Sequence, residues 1–478
     1  MKKKLHSFTL VVISISQSLI MDVVLLSRIQ FALTIGFHYL FPPLSIGLSL
    51  MIVIIEGMYM KTKNPLYKRM AKFWIKMFAL VFAMGVATGI VMVFAFGNNW
   101  ARYSRFVGDV FGSALAAEGI FAFFLEAGFI GIMLFGWNRV KPSIHYLSTI
   151  LVTFGAHFSA VWITIANSWM QTPAGYQIIG EGEKARAVVT NWWQMILNPS
   201  AMDRLVHVML GCWLTGAFIV LSVCAYYLLK KRHLDFAQTG MKLGLIASSV
   251  LVILQLISAD MTARGVAKNQ PEKLAAMEGV YQTKTHTPLY LFGHVNSKQE
   301  KVSGVSIPGL LSFLIYRTPK TAVKGLDQFP KEDWPNVPVV FQGYHLMIAM
   351  WGLMFFFTGL GLIHWIRGSL WNAKWTLRGL TISILFPYIA NQAGWFTAEV
   401  GRQPWIVYRL LRTVDGVSTN INGGQVLGSI LMFIVIYSFL FTLFIYLLNH
   451  KIMEGPDDEG EASSEFVYSN PYGIEEKS

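Results

Sequence analysis

Hydrophobic positions in this chain come as long runs rather than as alternating or one-face patterns, and short polar stretches separate the runs. Nine runs stand out, at roughly 30–56, 74–97, 113–136, 145–168, 203–229, 241–259, 339–365, 376–400 and 423–449. A helix of about 20 apolar residues crosses the hydrocarbon core of a bilayer, and inside that core only helices or closed barrels satisfy every backbone polar group. The runs therefore predict an all-α polytopic membrane protein with about nine transmembrane helices. Segment 260–338, between the sixth and seventh runs, carries Pro, Gly and mixed charge without a long apolar run. A connection of that length is usually functional or disordered.

The chain then divides into 1–26, six helices over 27–259, the loop 260–338, three helices over 339–449, and an acidic tail over 450–478. The first part has two readings. Lys2–Lys4 followed by apolar 8–20 resembles a signal-peptide start, but no small-residue cleavage site stands out. It is either an extension upstream of a body that begins at Met21, or the start of a tenth span ending near residue 26.

Composition supports the membrane reading. Of 478 residues, 54% are hydrophobic and 14% charged, against about 25% charged in soluble domains. A net charge of +13 would suit a nucleic-acid binder, but the basic residues sit in short connections between runs, so no nucleic-acid partner is expected. One set of connections carries Lys61, Lys63, Lys68, Arg69, Lys72, Arg139, Lys141, Lys230, Lys231, Arg232, Arg367 and Lys374. The opposite set carries Arg102, Arg105, Lys184, Arg186, Arg402, Arg409 and Arg412. The richer set should face the cytoplasm, which puts the acidic tail inside and 260–338 outside. Cys212 and Cys224 are twelve residues apart in one run, about 18 Å along a helix and too far for a disulfide.

Ionisable groups at membrane depth are costly and face a cavity, a cofactor or a partner. The runs hold His38, Glu118, Glu126, His157, His207, His345 with nearby Met347, and Glu399 with Arg402 at a run's end. Each alone has a plain explanation as a packed or hydrogen-bonded residue. Together, histidines on separate helices, a Met and inward carboxylates suit haem iron. A His–Met pair saturates a low-spin haem, whereas an oxygen-binding haem keeps one position open. As an α-helix, Glu118 and Glu126 stand about 12 Å and 80° apart and line one side, fit to pass protons. A transporter also buries carboxylates and breaks helices, for which Pro42–Pro43 and Pro387 are candidates. It has less need of several His and a Met, and the hydropathy shows no two-fold repeat.

SRIQFAL (27–33), GVATGIVMVFAFGNNW (85–100), AAEGIFAFFLE (116–126), WITIANSWMQTP (162–173) and, the strongest and most specific, AGWFTAEVGRQPW (393–405) occur in this order along the chain. With them the chain, from about Met21 to residue 449, resembles subunit I of the cytochrome bd-type quinol oxidases. The loop is of the short kind, and the cyanide-insensitive subgroup is one candidate. The resemblance implies a respiratory membrane enzyme of the bacterial cytoplasmic membrane that oxidises quinol and reduces dioxygen to water. It implies a low-spin haem b, a high-spin haem b, and haem d or a further haem b. It also implies a second membrane subunit and, as an option, a small single-span one.

By the same resemblance, His207 and Met347 are the axial ligands of the low-spin haem. His38 and Glu399 are the ligands of the two high-spin haems, and which of those takes oxygen stays open. Arg402 is the arginine of the GRQPW motif. Glu118 and Glu126 assist proton delivery and haem placement. KLAAMEG (273–279) matches the quinol segment, with Lys273 and Glu278 as the residues important for oxidation. Quinol protons leaving outside and oxygen's protons entering from inside would build a gradient without a pump. The chain departs from the family at His345, where Arg is frequent, and at Gln392, where an acid often stands. His345 is either a charge-balancing group or a rival ligand. A haem-bearing electron carrier without oxygen chemistry, and an ion or solute transporter, are the alternative functions.

Overall fold

The computed structural model describes residues 22–457. The readings for residues 1–20, and for the tail beyond 457, lie outside the described residues. Helix α1 (Val23–His38) and helix α2 (Pro42–Thr62) form one kinked pass. The break at Tyr39–Phe41 precedes Pro42 and Pro43, which lack the N–H that would continue α1. Helix α3 runs Pro65–Asn98. The link between α2 and α3 is therefore much shorter than the predicted connection 57–73. Asn64 caps α3, its side chain accepting from Leu66 N, and Pro65 opens the helix, so Lys68, Arg69 and Lys72 ride on its first turns.

The next pass joins helix α4 (Gly108–Ala117), a π-helical segment Glu118–Phe123 and helix α5 (Phe124–Phe135). Helices α6 (Pro142–Gln171), α7 (Ala201–Lys230) and α8 (Leu234–Asn269) follow. Beyond the loop come α10 (Val337–Ile366), α11 (Lys374–Ile382), α12 (Leu385–Val400) and α13 (Gly423–Glu454), with a short helix α9 (Pro271–Glu278) inside the loop.

Among the described residues, eight helical stretches are long and apolar enough to cross a membrane. The predicted run 376–400 is not one of them; it is a broken pair, α11 of 9 residues and α12 of 16. Pro387 cannot donate to Ser383 and its ring opposes that carbonyl, so the helix breaks there. With 9 residues, and with Lys374 and Arg378 among them, α11 is too short and too polar to cross alone.

The centre of the molecule is α7, whose most apolar stretch is 83% buried. Small residues let α2 press against it. A Cβ on Gly47 would stand 2.6 Å from Gly216 N, so neither position has room for a side chain. Leu44, Leu48, Ile52, Trp74, Phe78, Phe218 and Leu221 close the core around this seam. Leu431, Val435 and Phe439 on α13, and Ile120, Phe121 and Phe124 on the α4–α5 pass, point outward as apolar surface, as a bilayer or a partner subunit requires.

The loop is ordered. It starts after Asn269 rather than at 260, because α8 continues for about three more turns. It contains α9 and an antiparallel hairpin, Leu289–Asn296 paired with Lys301–Ile307. Leu274, Ala276, Val295, Leu311, Leu326 and Phe341 give it a core of its own, seated on the start of α10.

Candidate functional site

The predicted residues fall into three groups. The first lies where α7, α8, α10 and α12 meet. His207 Nδ1 is 3.3 Å from Ser258 Oγ of α8, and the Gln255 amide stands 3.2 Å from the ring. Trp351 of α10 donates to Val252 O of α8 at 3.0 Å, which sets the two helices in register. One turn outward from that contact are Gln255 on α8 and Met347 on α10. Met347 packs on α12, where a Cβ on Gly394 would stand 2.9 Å from Sδ. Asn391 of α12 donates to Thr215 of α7 at 3.1 Å, with Gly211 beside it. One turn outward on both helices places His207 level with Gly394. His207 and Met347 thus share one depth, on two helices that both pack against α8 and α12. His345, two residues from Met347, does not compete as a ligand. Its Nδ1 lies 2.8 Å from Phe341 O and its Nε2 2.9 Å from Tyr290 O, so both nitrogens are taken by carbonyls.

The second group surrounds the outward end of α12. Glu399 pairs with Arg402. Its Oε1 accepts from Asn167 Nδ2 at 2.9 Å and from Gln171 Nε2 at 3.3 Å. Arg204 donates to Asn167 Oδ1 at 3.2 Å. Lys273 of α9 donates to Gln171 and, at 2.7 Å, to Gln270. Lys273 is 1% exposed and lies along Gly401, where a Cβ would stand 2.9 Å from its Cγ. Burial, aided by the charges of Arg204 and Arg402, drives the Lys273 ammonium well below the usual lysine value.

Glu278, five residues on, is 2% exposed. Burial pushes its carboxyl up to about 7, against a Tyr344 hydrogen bond that lowers it. The loop therefore reaches the Glu399 cluster directly. Asn167, Gln171 and Arg204 were not singled out from sequence. Two amides four residues apart in WITIANSWMQTP, and an Arg three before His207, were the available signals.

The third group is the proton pair. Ser159 of α6 donates to Glu118 Oε1 at 2.7 Å, and Gly155, one turn away, makes room for Glu126, whose Cγ would stand 2.6 Å from a Cβ there. Both carboxylates face α6. The α-helical spacing predicted for them does not hold, because Glu118–Phe123 is wound as a π-helix. Its i→i+5 bonds turn the chain less per residue, which changes the rotation between the two side chains. His38 ends α1 with Nδ1 2.9 Å from Thr88 Oγ1, leaving Nε2 as the nitrogen free to ligate.

The site also contains buried polar atoms without partners among the described residues. Arg402 Nη1, Gln255 Oε1 and Glu278 Oε2 are such atoms. A stranded guanidinium N–H is expensive, and it fits a site completed by an acidic group such as a haem propionate. The donor set of imidazole, thioether and carboxylate fits haem iron.

Comparison with known proteins decides the family. The family model described as cytochrome bd terminal oxidase subunit I matches residues 26–456. The chain belongs to the cytochrome bd terminal oxidase subunit I family. Cytochrome bd ubiquinol oxidase subunit 1 of Bacillus subtilis is 39% identical, over 92% of this chain and 95% of its own length. Cytochrome bd-II ubiquinol oxidase subunit 1 of Escherichia coli is 32% identical, over 91% and 97%. The solved bd oxidase from Geobacillus thermodenitrificans superposes with a TM-score of 0.84 at 28% identity, covering 91% of this chain and 99% of that one. Membership of the bd family makes the protein part of a membrane-embedded respiratory oxidase, an enzyme rather than a passive carrier or a transporter.

Proposed function

We propose that this subunit I oxidises quinol at its loop, on the outer face of a bacterial cytoplasmic membrane, and reduces dioxygen to water within the helix bundle. It acts with a subunit II, and a small single-span subunit is a further candidate partner. Haem is the cofactor. His207 and Met347 would hold the low-spin haem b, and His38 and Glu399 would hold two high-spin haems, b with d or b with b. Bound there, haem supplies stepwise electron transfer and an open iron position for oxygen.

The chain's own residues do the rest. A buried Glu278 carboxylate beside Tyr344 accepts a proton from a quinol hydroxyl. Lys273, held by Gln171 and Gln270, offers a donor to the developing quinol anion. Arg402 and Arg204 place positive charge around Glu399, and Arg402 keeps Nη1 for an acidic group. Glu118 and Glu126 pass protons into the bundle along α6 from the side rich in Lys and Arg. Opposite sides for uptake and release then separate charge without a pump.

The observation that carries this reading is the single buried network joining the loop to Glu399, from Gln270 and Lys273 through Gln171. A loop that delivers electrons must lie close to the haem sites, and this network seats it against a candidate haem ligand. The test is the carbon monoxide difference spectrum of membranes containing the oxidase. A CO-sensitive high-spin signal supports the reading, and a CO-silent haem rejects oxygen reduction. Proteoliposomes that develop no membrane potential during turnover would reject the charge separation.

A further inference from the structure

A second buried ionisable pair lies away from all three groups, at the end of the bundle that carries Lys61, Lys63, Lys68 and Arg69. Glu56, near the end of α2, and His145, in the first turn of α6, each have side chains 1% exposed. His145 Nδ1 stands 2.6 Å from Glu56 Oε1, and Nε2 stands 3.0 Å from Met133 O. Glu56 Oε2 accepts from Thr149 Oγ1 at 2.7 Å. Trp137 lies against the imidazole with ring centres 3.9 Å apart. Lys68, at 5.7 Å, and Tyr59, at 6.4 Å, are the ionisable groups beyond Trp137.

The hydrogen bonds count the protons. Met133 O only accepts, so Nε2 carries a hydrogen. One further proton lies between Nδ1 and Oε1. It satisfies both atoms whether the pair is imidazolium with carboxylate or imidazole with carboxylic acid. A pair of this kind is poor glue, since burying two charges costs about what their attraction returns. It is well made to hold one movable proton.

Its surroundings lead somewhere. The polar line continues up α6 from Thr149, 0% exposed, to Thr153, 7% exposed, facing Ser49, 0% exposed, on α2. Thr153 Oγ1 donates to Ser49 O at 3.3 Å. Half a turn beyond Thr153, and so on the opposite face of α6 from Ser49, is Gly155, where Glu126 packs. From His145 to Gly155 the rise is about 15 Å.

We propose that Glu56 and His145 form the proton-loading site of the oxidase, and that protons pass from it along the α2–α6 seam and then round α6 at Gly155 to Glu126. The step balances simply. The shared proton leaves for the Glu126 carboxylate, Glu56 stays ionised beside a neutral His145, and a proton from water at the basic end restores the pair. No electron moves. The proposal rests on the reading of Glu118 and Glu126 as proton carriers.

The test uses the whole oxidase in membranes and reads oxygen consumption, the haem spectrum and the solvent deuterium isotope effect. Glu56→Gln should keep the spectrum, slow oxygen consumption about tenfold or more and raise the isotope effect, as loss of an acid–base group does. Glu56→Asp should restore more than half of the rate. Thr149→Val leaves the pair intact, removes the hydroxyl toward the seam, and should slow turnover about threefold. Normal turnover with an unchanged isotope effect in Glu56→Gln overturns the proposal, as it does in Thr149→Val should Glu56→Gln fail to assemble. Glu126→Gln, measured alongside, separates the two readings. A slow Glu126→Gln with a normal Glu56→Gln rejects the seam alone, whereas a normal Glu126→Gln rejects the underlying assignment as well.

Discussion

The seam between α2 and α7 and the cluster at the outward end of α12 are both buried, and they are built in opposite ways. At the seam, Gly47 meets Gly216 backbone to backbone, and large apolar side chains close every gap. At the cluster, Arg204, Lys273 and Glu399 share the amides of Asn167 and Gln171, Arg402 pairs with Glu399, and Arg402 Nη1 has no partner among the described residues. The seam is complete as it stands. The cluster is complete only with something added. Close packing makes a rigid frame, and the frame is what allows the cluster to hold unsatisfied charge in position until its cofactor arrives.

Substitutions can break that contrast, and the largest effect should come from the seam. Gly216→Leu puts a side chain where only backbone fits, and should cost more than the about 3 kcal/mol of ordinary overpacking. Immunoblots and spectra of membranes should then show neither stable protein nor haem. At the cluster, Arg402→Leu should leave a folded chain but lower high-spin haem content and oxygen consumption about a hundredfold, because it removes the partner of Glu399 Oε2 and the free N–H. Full haem occupancy in that variant would mean the cluster is merely structural.

His207→Ala sharpens the picture further. It should remove the low-spin absorption band while the protein stays folded, and a normal reduced band would refute the ligand assignment. A narrower effect is expected at the loop. Lys273→Ala or Glu278→Ala should slow quinol oxidation about tenfold to a hundredfold and spare artificial donors that bypass the loop. Equal loss with both donors would make the loop structural.

The smallest effect is a pH dependence. With the Glu278 carboxyl raised to about 7, its base form grows as pH rises through neutrality. The ratio of quinol to artificial-donor activity should climb across that range, and the limb should vanish in Glu278→Gln. A limb that persists there belongs to another group.

Much of this was legible from local pattern. The long apolar runs stated the fold class, and strings such as AGWFTAEVGRQPW named the candidate ligands. The breaks were less legible. Pro387 was visible, yet a run of hydrophobic residues reads the same whether it forms one helix or two. The π-wound turn at Glu118–Phe123 was not legible, because the same apolar run reads alike whether its backbone bonds are i→i+4 or i→i+5. Asn167, Gln171 and Arg204 were overlooked for a related reason. A polar residue in an apolar run declares that it needs a partner and leaves that partner unnamed.

By itself, then, the chain determined that it must cross a membrane many times and must bury imidazole, thioether and carboxylate groups there. Those outcomes follow from hydrophobicity and length, which are local sums. Only the tertiary structure decided that Lys273 reaches Gln171, 102 residues away, that His345 is occupied by carbonyls, and that Glu56 meets His145. Such pairings depend on the depth and rotation of helices packed against one another, and those are set by side-chain fit across the whole bundle rather than by any one segment.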